Sequence, residues 1–329
     1  MATLQDIADK AGVSTETVSR VLRGKYRQVG PRGVKRVEQV TQIAKDLGYR
    51  VNAAARSMKN QQSLMVGVVM PVDPNSQIAH AVSMEITFGL NGVLTDLGYV
   101  MSLLPVSYHE IASGQPVSRG LTEQVVDAYV VMDGIGHRLE SHIQSAGKPV
   151  VWANAECPES GVSILRDEYR AGELAVAALA RGGHTRITNL ERRAQGGSFS
   201  FAQRRAGVLA AADRLGLQCT NHQVDLHDDI SKLPCVLEGE ILESIDETGA
   251  VVLGDTYLAR RVIGDLSRVR RHVVDYSLAC CDDADEMGEV MPWLARASFN
   301  RFEMGRQAAF ALMKLINGKY AMCTHAGEI

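Results

Sequence analysis

Thr15, Glu16, Ser19 and Arg20 fall where a single helix would turn them to one side, and each carries a group able to read the edge of a nucleic-acid base. An arginine fork binds guanine through two hydrogen bonds, a glutamate accepts from the cytosine amine, and hydroxyls do either. Ser14 and Thr17 stand beside them, and Arg23, Lys25 and Arg27 follow in a basic loop suited to phosphate oxygens. A second set is spread through the later chain: Asp73, Asn75, Asn154, Arg204, Asp255 and Asp282. All but Arg204 come just after short apolar runs, where an open α/β sheet holds its ligands. Carboxylates and amides suit a polyhydroxylated ligand, and a guanidinium in a cleft meets a carboxylate or phosphate. For each acidic residue taken alone, a helix N-cap after a strand is an equal explanation, and for Arg204 a structural ion pair is the competing one. No Ser-His-Asp order, no H-E-x-x-H and no glycine-rich phosphate loop accompanies them, so the chain is not expected to be an enzyme or to carry a metal or cofactor.

The elements that must hold the first set are short. Thr3 followed by Asp6 has the spacing of an N-cap signature, and Leu4, Ile7, Ala8 and Ala11 then share a helical face. Gly12 supplies a turn, Ser14 stands at the cap position of a second helix, and Val18, Val21 and Leu22 form its apolar side, opposite Thr15, Glu16, Ser19 and Arg20. This is a helix-turn-helix, whose second helix enters the major groove. Pro31 favours the start of a third helix reaching about Leu47, with Val37, Val40, Ala44 and Leu47 closing a three-helix core.

The charge is divided along the chain. Residues 1–63 hold 12 Lys and Arg against 5 Asp and Glu, a balance of +7, while the remainder carries −10. A positive head on an acidic body is what attraction to phosphates requires. The 329 residues, 46% hydrophobic and 22% charged, suit two or three folded domains. No apolar run is long enough for a bilayer and no basic-then-apolar leader precedes the first helix, so a cytoplasmic location is expected. The six cysteines lack C-x-x-C spacing and read as buried thiols rather than metal ligands.

The run D-I-A-x-x-A-G-V-S-x-x-T-V-S-R-V-L, Asp6 to Leu22, resembles the N-terminal signature of the LacI/GalR family of bacterial transcriptional regulators. The resemblance implies DNA contacts from Thr3, Ser14, Thr15, Glu16, Thr17, Ser19, Arg20 and Arg23. It also implies a hinge over residues 51–63 in which Asn52, Ala55 and Met58 approach the minor groove, Met58 as an apolar wedge where leucine is common. Val51 stands where proline is common, Gly30 where a capping serine is common, and the loop before the third helix is about one residue longer than in many relatives.

From Leu64 onward short apolar runs alternate with helical stretches. Strands are expected at 64–70, 100–104, 128–131, 150–153, 186–190, 250–253 and 278–281, with helices near 79–97, 137–146, 168–181 and 201–215. Gly98-Tyr99, Lys148-Pro149-Val150-Val151, Gly183-His184-Thr185-Arg186-Ile187 and Arg205-Ala206-Gly207 resemble landmarks of the family's sugar-binding-protein-like body. That body is an α/β periplasmic-binding-protein-like (type I) domain of two parallel-sheet subdomains crossed three times by the chain. The expected organisation is an all-α helix-turn-helix domain over 1–50, the hinge over 51–63, and an effector-binding and dimerisation domain over 64–329. Its first subdomain would take about 64–158 and 298–318, and its second about 159–297 with the tail.

In several relatives an arginine matching Arg204 binds the effector; Asp282 matches an effector-contacting Asp, Asn154 stands where Asp is common, and Gly254-Asp255 resembles an Asn-Asp pair that has lost its Asn. Ser298 to Arg306 resembles the last crossover and helix, but no clear final strand and no leucine heptads follow, which implies a homodimer. The expected partners are a palindromic double-stranded DNA operator and a small effector, a sugar, sugar acid or sugar phosphate, with repression as the expected action. A carbohydrate-binding protein or sugar-acting enzyme with a vestigial N-terminal module is the other reading. Residues 1–63 separate the two, since a transport receptor would carry a signal peptide in their place.

Overall fold

Thr3 starts the first helix, α1 (Leu4–Ala11), by exchanging hydrogen bonds with Asp6: its hydroxyl accepts from the Asp6 amide at 3.2 Å, and its own amide donates to the Asp6 carboxylate at 2.7 Å. Gly12 ends the helix in the left-handed region, φ 64°, which a side chain would resist. Ser14 then accepts from the Thr17 amide to start α2 (Thr15–Leu22), and α3 (Gly30–Asp46) completes a core of Ile7, Ala8, Ala11, Val18, Val21, Val40 and Ala44. Val37 and Leu47 are only partly buried against it.

The computed structural model describes residues 2–24, 26, 30–50, 62–72, 77–107, 110, 113, 118–123, 125–157, 161–193, 199–224, 236–283 and 291–318. Asn52, Ala55, Met58, Asp73 and Asn75 lie outside these residues, as do the hinge over 51–61 and the tail from 319. The chain divides into two compact units, 1–63 and 64–329.

Among the described residues the larger unit holds two five-stranded parallel sheets. The first runs β2-β1-β3-β4-β5, from β1 (Met65–Val72), β2 (Val100–Ser107), β3 (Ala128–Met132), β4 (Val150–Ala153) and β5 (Val162–Ile164). Helices α4 (Gln77–Asp96) and α10 (Arg301–Ile316) cover one face through Ile86, Leu90, Leu94, Ala308 and Leu312. The other face packs Val69, Tyr129, Val131 and Trp152 against Leu139 and Ile143 of α5 (His137–Ser145).

The second sheet runs β10-β9-β8-β6-β7, from β6 (Arg186–Arg192), β7 (Gln218–Val224), β8 (Ala250–Leu253), β9 (Ser277–Cys280) and β10 (Ala295–Arg296). Helices α6 (Glu168–Arg181) and α7 (Phe199–Leu215) cover one side, α8 (Gly239–Thr248) and α9 (Thr256–Arg268) the other. With both faces covered, β3 and β8 are apolar and buried throughout.

Two helix pairs approach to backbone contact through glycine. A Cβ on Gly172 of α6 would stand 2.3 Å from the Arg204 carbonyl oxygen, and one on Gly207 of α7 2.0 Å from that of Tyr169. Gly89 and Gly305 do the same for α4 and α10, at 1.9 Å from the Phe302 oxygen and 2.0 Å from the Ile86 oxygen.

Among the described residues the chain passes between the sheets at 165–167, from β5 to α6, and at 297–300, from β10 to α10; the third expected crossing lies outside them. The first passage corrects the expected boundary at 158/159: Val162–Ile164 pairs with β4 and belongs to the first subdomain. Three residues are too few to announce a strand by pattern. The tail, in which the sequence shows no clear final strand, lies beyond the described residues.

Candidate nucleic-acid interface and ligand cleft

On the small unit, Ser14, Thr15, Glu16 and Arg20 are exposed along α2, with Thr17 half-buried and its hydroxyl 3.0 Å from that of Ser14. Thr3 and Arg23 are exposed as well. Glu16, in the first turn, and Arg20, in the last, also complement the helix dipole. Ser19 departs from expectation. It is 9% exposed, and its hydroxyl accepts from the Arg23 guanidinium one turn later instead of facing outward. Because α2 packs against both α1 and α3, its buried arc is wider than its apolar stripe, and Ser19, next to the fully buried Val18, falls inside that arc. Ser19 therefore holds Arg23.

In the larger unit residues just past β3, β4, β5, β8 and β9 come together in a buried ion network. At its centre is Asp282, just past β9. Arg204 of α7 donates from Nη2 to Asp282 Oδ2 at 3.0 Å, from Nε to Glu168 Oε2 at 2.6 Å and from Nη1 to the Gly254 carbonyl at 2.7 Å. Arg166, on the first passage, reaches Asp282 Oδ1 at 3.1 Å, Glu168 Oε1 at 2.6 Å and Asn154 Oδ1 at 3.0 Å. Arg301, the first residue of α10, donates to the same Asp282 Oδ1 and to the Asp283 carbonyl. The Phe299 ring lies 4.7 Å from the Arg166 guanidinium and 5.9 Å from that of Arg301. Asn154 continues the chain of contacts to Asp133, which also accepts from Ser83 at 3.2 Å. Asp133 and Asn154 both sit at φ 59°, a conformation uncommon outside glycine and found where a structure constrains its site.

Burial alone would push the Asp282 carboxyl up, but the Arg204, Arg166 and Arg301 guanidiniums hold it well below the usual carboxylate range. Burial likewise opposes the Arg204 charge, which Asp282 and Glu168 nevertheless fix firmly in place. Asp133 goes the other way: burial pushes its carboxyl up, against the hydrogen bond from Asn154. Cys280 and Cys281, behind the network, are buried free thiols, and burial pushes Cys281 up to about 12.

Arg204 and Asp282 both belong to the second subdomain and touch directly, so the ion pair weighed for Arg204 from its sequence is formed. Asp255 caps α9, accepting from the Leu258 amide at 2.8 Å, and pairs with Arg192 at 2.6 Å. Arg192 in turn covers the rings of Phe201 and Tyr257, at 5.0 and 5.4 Å. Arg166, Glu168, Arg301, Phe299 and Asp133 were not singled out from sequence. Asp133 was within reach, because it directly follows an apolar strand, as Asp282 nearly does. Arg166 follows a strand that left no pattern.

Residues 3–52 match the family described as bacterial regulatory proteins, lacI family. Residues 63–235 match the periplasmic binding proteins and sugar binding domain of LacI family, and 176–324 a periplasmic binding protein-like domain. Among relatives, a probable HTH-type transcriptional regulator, EndR, of Paenibacillus polymyxa is 22% identical over 97% of this chain and 92% of its own. The HTH-type transcriptional regulator GntR of Pseudomonas aeruginosa is 28% identical over 96% and 90%. The solved Lac repressor dimer bound to operator and the anti-inducer ONPF superposes with a TM-score of 0.74 at 21% identity, covering 98% of this chain and 95% of that one.

Proposed function

We propose, for a chain that belongs to the LacI family of bacterial regulatory proteins, that it is a sequence-specific DNA-binding transcriptional regulator, a repressor, working in the cytoplasm as a homodimer. The observation that carries this is the pairing of an exposed recognition helix on a +7 head with a body whose strand ends converge on one buried ion network. Two heads related by a dimer axis require a palindromic operator. Arg20, Thr15 and Glu16 choose bases, while Arg23, Lys25 and Arg27 hold phosphates. Met58 of the hinge serves as the minor-groove wedge. The alternative, a sugar-binding protein or enzyme with an inert head, leaves the exposed face of α2 without a use.

The effector is a small sugar-like molecule with an acidic group, bound between the two subdomains. Three buried guanidiniums, one of them with its Nε lacking a hydrogen-bond partner among the described residues, favour an oxygen-rich anion. The rings of Phe201 and Tyr257 offer faces on which a sugar can stack once Arg192 moves aside. Binding shifts the subdomains and so the operator affinity, because an effector acts only through its difference in affinity for two states.

Selection of duplexes from a random library by the full chain tests the first half of this reading: a palindromic consensus is expected, and recovery of no consensus refutes it. With the selected duplex, Glu16→Gln should reorder the affinities of single-base operator variants, since a carboxylate that accepts from cytosine contributes about 1–3 kcal/mol of discrimination. An unchanged ranking with a lower melting temperature would limit Glu16 to steadying its helix. Thermal-shift screening of sugars, sugar acids and sugar phosphates tests the second half, a sugar acid or phosphate being expected to raise the melting temperature.

A further inference from the structure

Asp282 collects three guanidiniums that come from three separate parts of the chain. Arg204 belongs to the same subdomain and explains why a carboxylate can be buried there. The other two lie at the passages between subdomains: Arg166 on 165–167, and Arg301 at the end of 297–300. Both meet the same oxygen, Oδ1, and Phe299 of the second passage packs against both guanidiniums. Arg166 also extends in the opposite direction, through Asn154, to the strand ends of the first subdomain. Arg166, Arg204 and Arg301 are 6%, 3% and 2% exposed, and Glu168 and Asp282 2% and 6%. The passages are thus joined to each other by one carboxylate, and joined to both subdomains by one arginine.

We propose that Arg166 and Asp282 form a clamp across both passages that sets the arrangement of the two subdomains before any effector binds, with Arg166 as the positioning residue. This rests on the reading of the body as the control element of a DNA-binding regulator. The physical basis is that a buried ion pair does not stretch gradually. A shift of the passages by an ångström or two leaves charged groups buried without partners, so the network is either whole or rearranged. Two discrete arrangements are what an effector needs to choose between. Because Arg166 and Arg301 share Asp282, loosening one passage must loosen the other, and an effector that takes over Asp282 or its guanidiniums acts on both at once.

Amide hydrogen exchange on the full-length chain without any effector tests the coupling. Arg166→Gln should speed exchange at least ten-fold in peptides spanning 165–167 and also in those spanning 297–300, although no residue of the second passage has changed. Asp282→Asn should give the same paired response, and Arg166→Lys, which keeps the charge but loses the fork, an intermediate one. Acceleration at 165–167 alone overturns the clamp. The affinity for a duplex selected by the wild-type protein should shift at least five-fold in Arg166→Gln, in whichever direction the clamped arrangement dictates, while affinity for a scrambled duplex stays within two-fold. An unchanged affinity for the selected duplex overturns the regulatory role. Should Arg166→Gln not fold, Arg166→Lys and Asn154→Ala carry both measurements. A wild-type chain that selects no duplex refutes the functional reading, and the exchange result still decides whether the passages are coupled.

Discussion

Arg204 shows how a single side chain can serve a site without being free to leave it. Its guanidinium meets two carboxylates and a backbone carbonyl in a pocket it fills almost completely, so Arg204→Ala would leave Glu168 and Asp282 buried with part of their compensation gone. Removing one partner from such a set costs about 3–5 kcal/mol. Urea unfolding of the variant should register that loss, and a midpoint unchanged from wild type would mean the pocket is wetter than its geometry implies. Asp282 has a consequence in acid. Its folded pKa is depressed, so its contribution to stability is present above the unfolded value, near 3.8, and is lost as pH falls below it. Wild-type stability should therefore fall more between about pH 4 and pH 2 than that of Asp282→Asn, which has no carboxyl to protonate there. Parallel curves would remove Asp282 from the acid response.

At the scale of elements, helices α6 and α7 owe their contact to Gly172 and Gly207, and that contact brings Glu168 at the start of one helix to Arg204 in the first half of the other. Gly305 against Ile86 does the same for Arg301 on α10. Gly207→Ala should destabilise the chain by about 1–3 kcal/mol through overpacking, the usual gain of about 1 kcal/mol for Gly→Ala in a helix recovering only part of it. It should also weaken effector binding, because the helices must separate for a Cβ 2.0 Å from the Tyr169 oxygen. A melting temperature equal to wild type would show that the helices have room to part. These elements were legible in the sequence to different degrees, for physical reasons. The Thr3–Asp6 box, the Ser14 cap and the apolar runs of β3, β4 and β8 are local signals, readable because capping and two-sided burial leave fixed residue types at fixed spacings. Strand β7, largely exposed at a sheet edge, and β5, three residues long, leave no such trace. The site followed the same division. Arg204 and Asp282, which meet in the ion network, were singled out by family position and by the strand-end rule. Arg166 and Arg301 were not, because their roles arise from a meeting of segments more than a hundred residues apart, and from nineteen, in the sequence.

At the scale of the whole molecule, a +7 head is joined to a body carrying −10, which concentrates the attraction to the polyanionic DNA backbone in the head. Counterion release then separates the work of the head's arginines. A side chain that holds a phosphate contributes equally on every sequence, and each such contact adds roughly 0.9 to the slope of log affinity against log salt. Arg23 is exposed, just beyond α2, and Ser19 fixes one arm of its fork, which suits the phosphate contact proposed for it, as the exposed Arg20 suits the proposed base contact. Arg23→Gln should therefore lower the slope by roughly 1 for each head, about 2 for a dimer on its operator, while the order of affinities among operator variants stays as it was. Arg20→Gln should give the converse result, a reordered set of variants. Titrations of both proteins at several salt concentrations, on the selected operator and on its single-base variants, measure the two effects separately. A slope unaltered by Arg23→Gln, with a changed ranking, would exchange the roles of the two arginines.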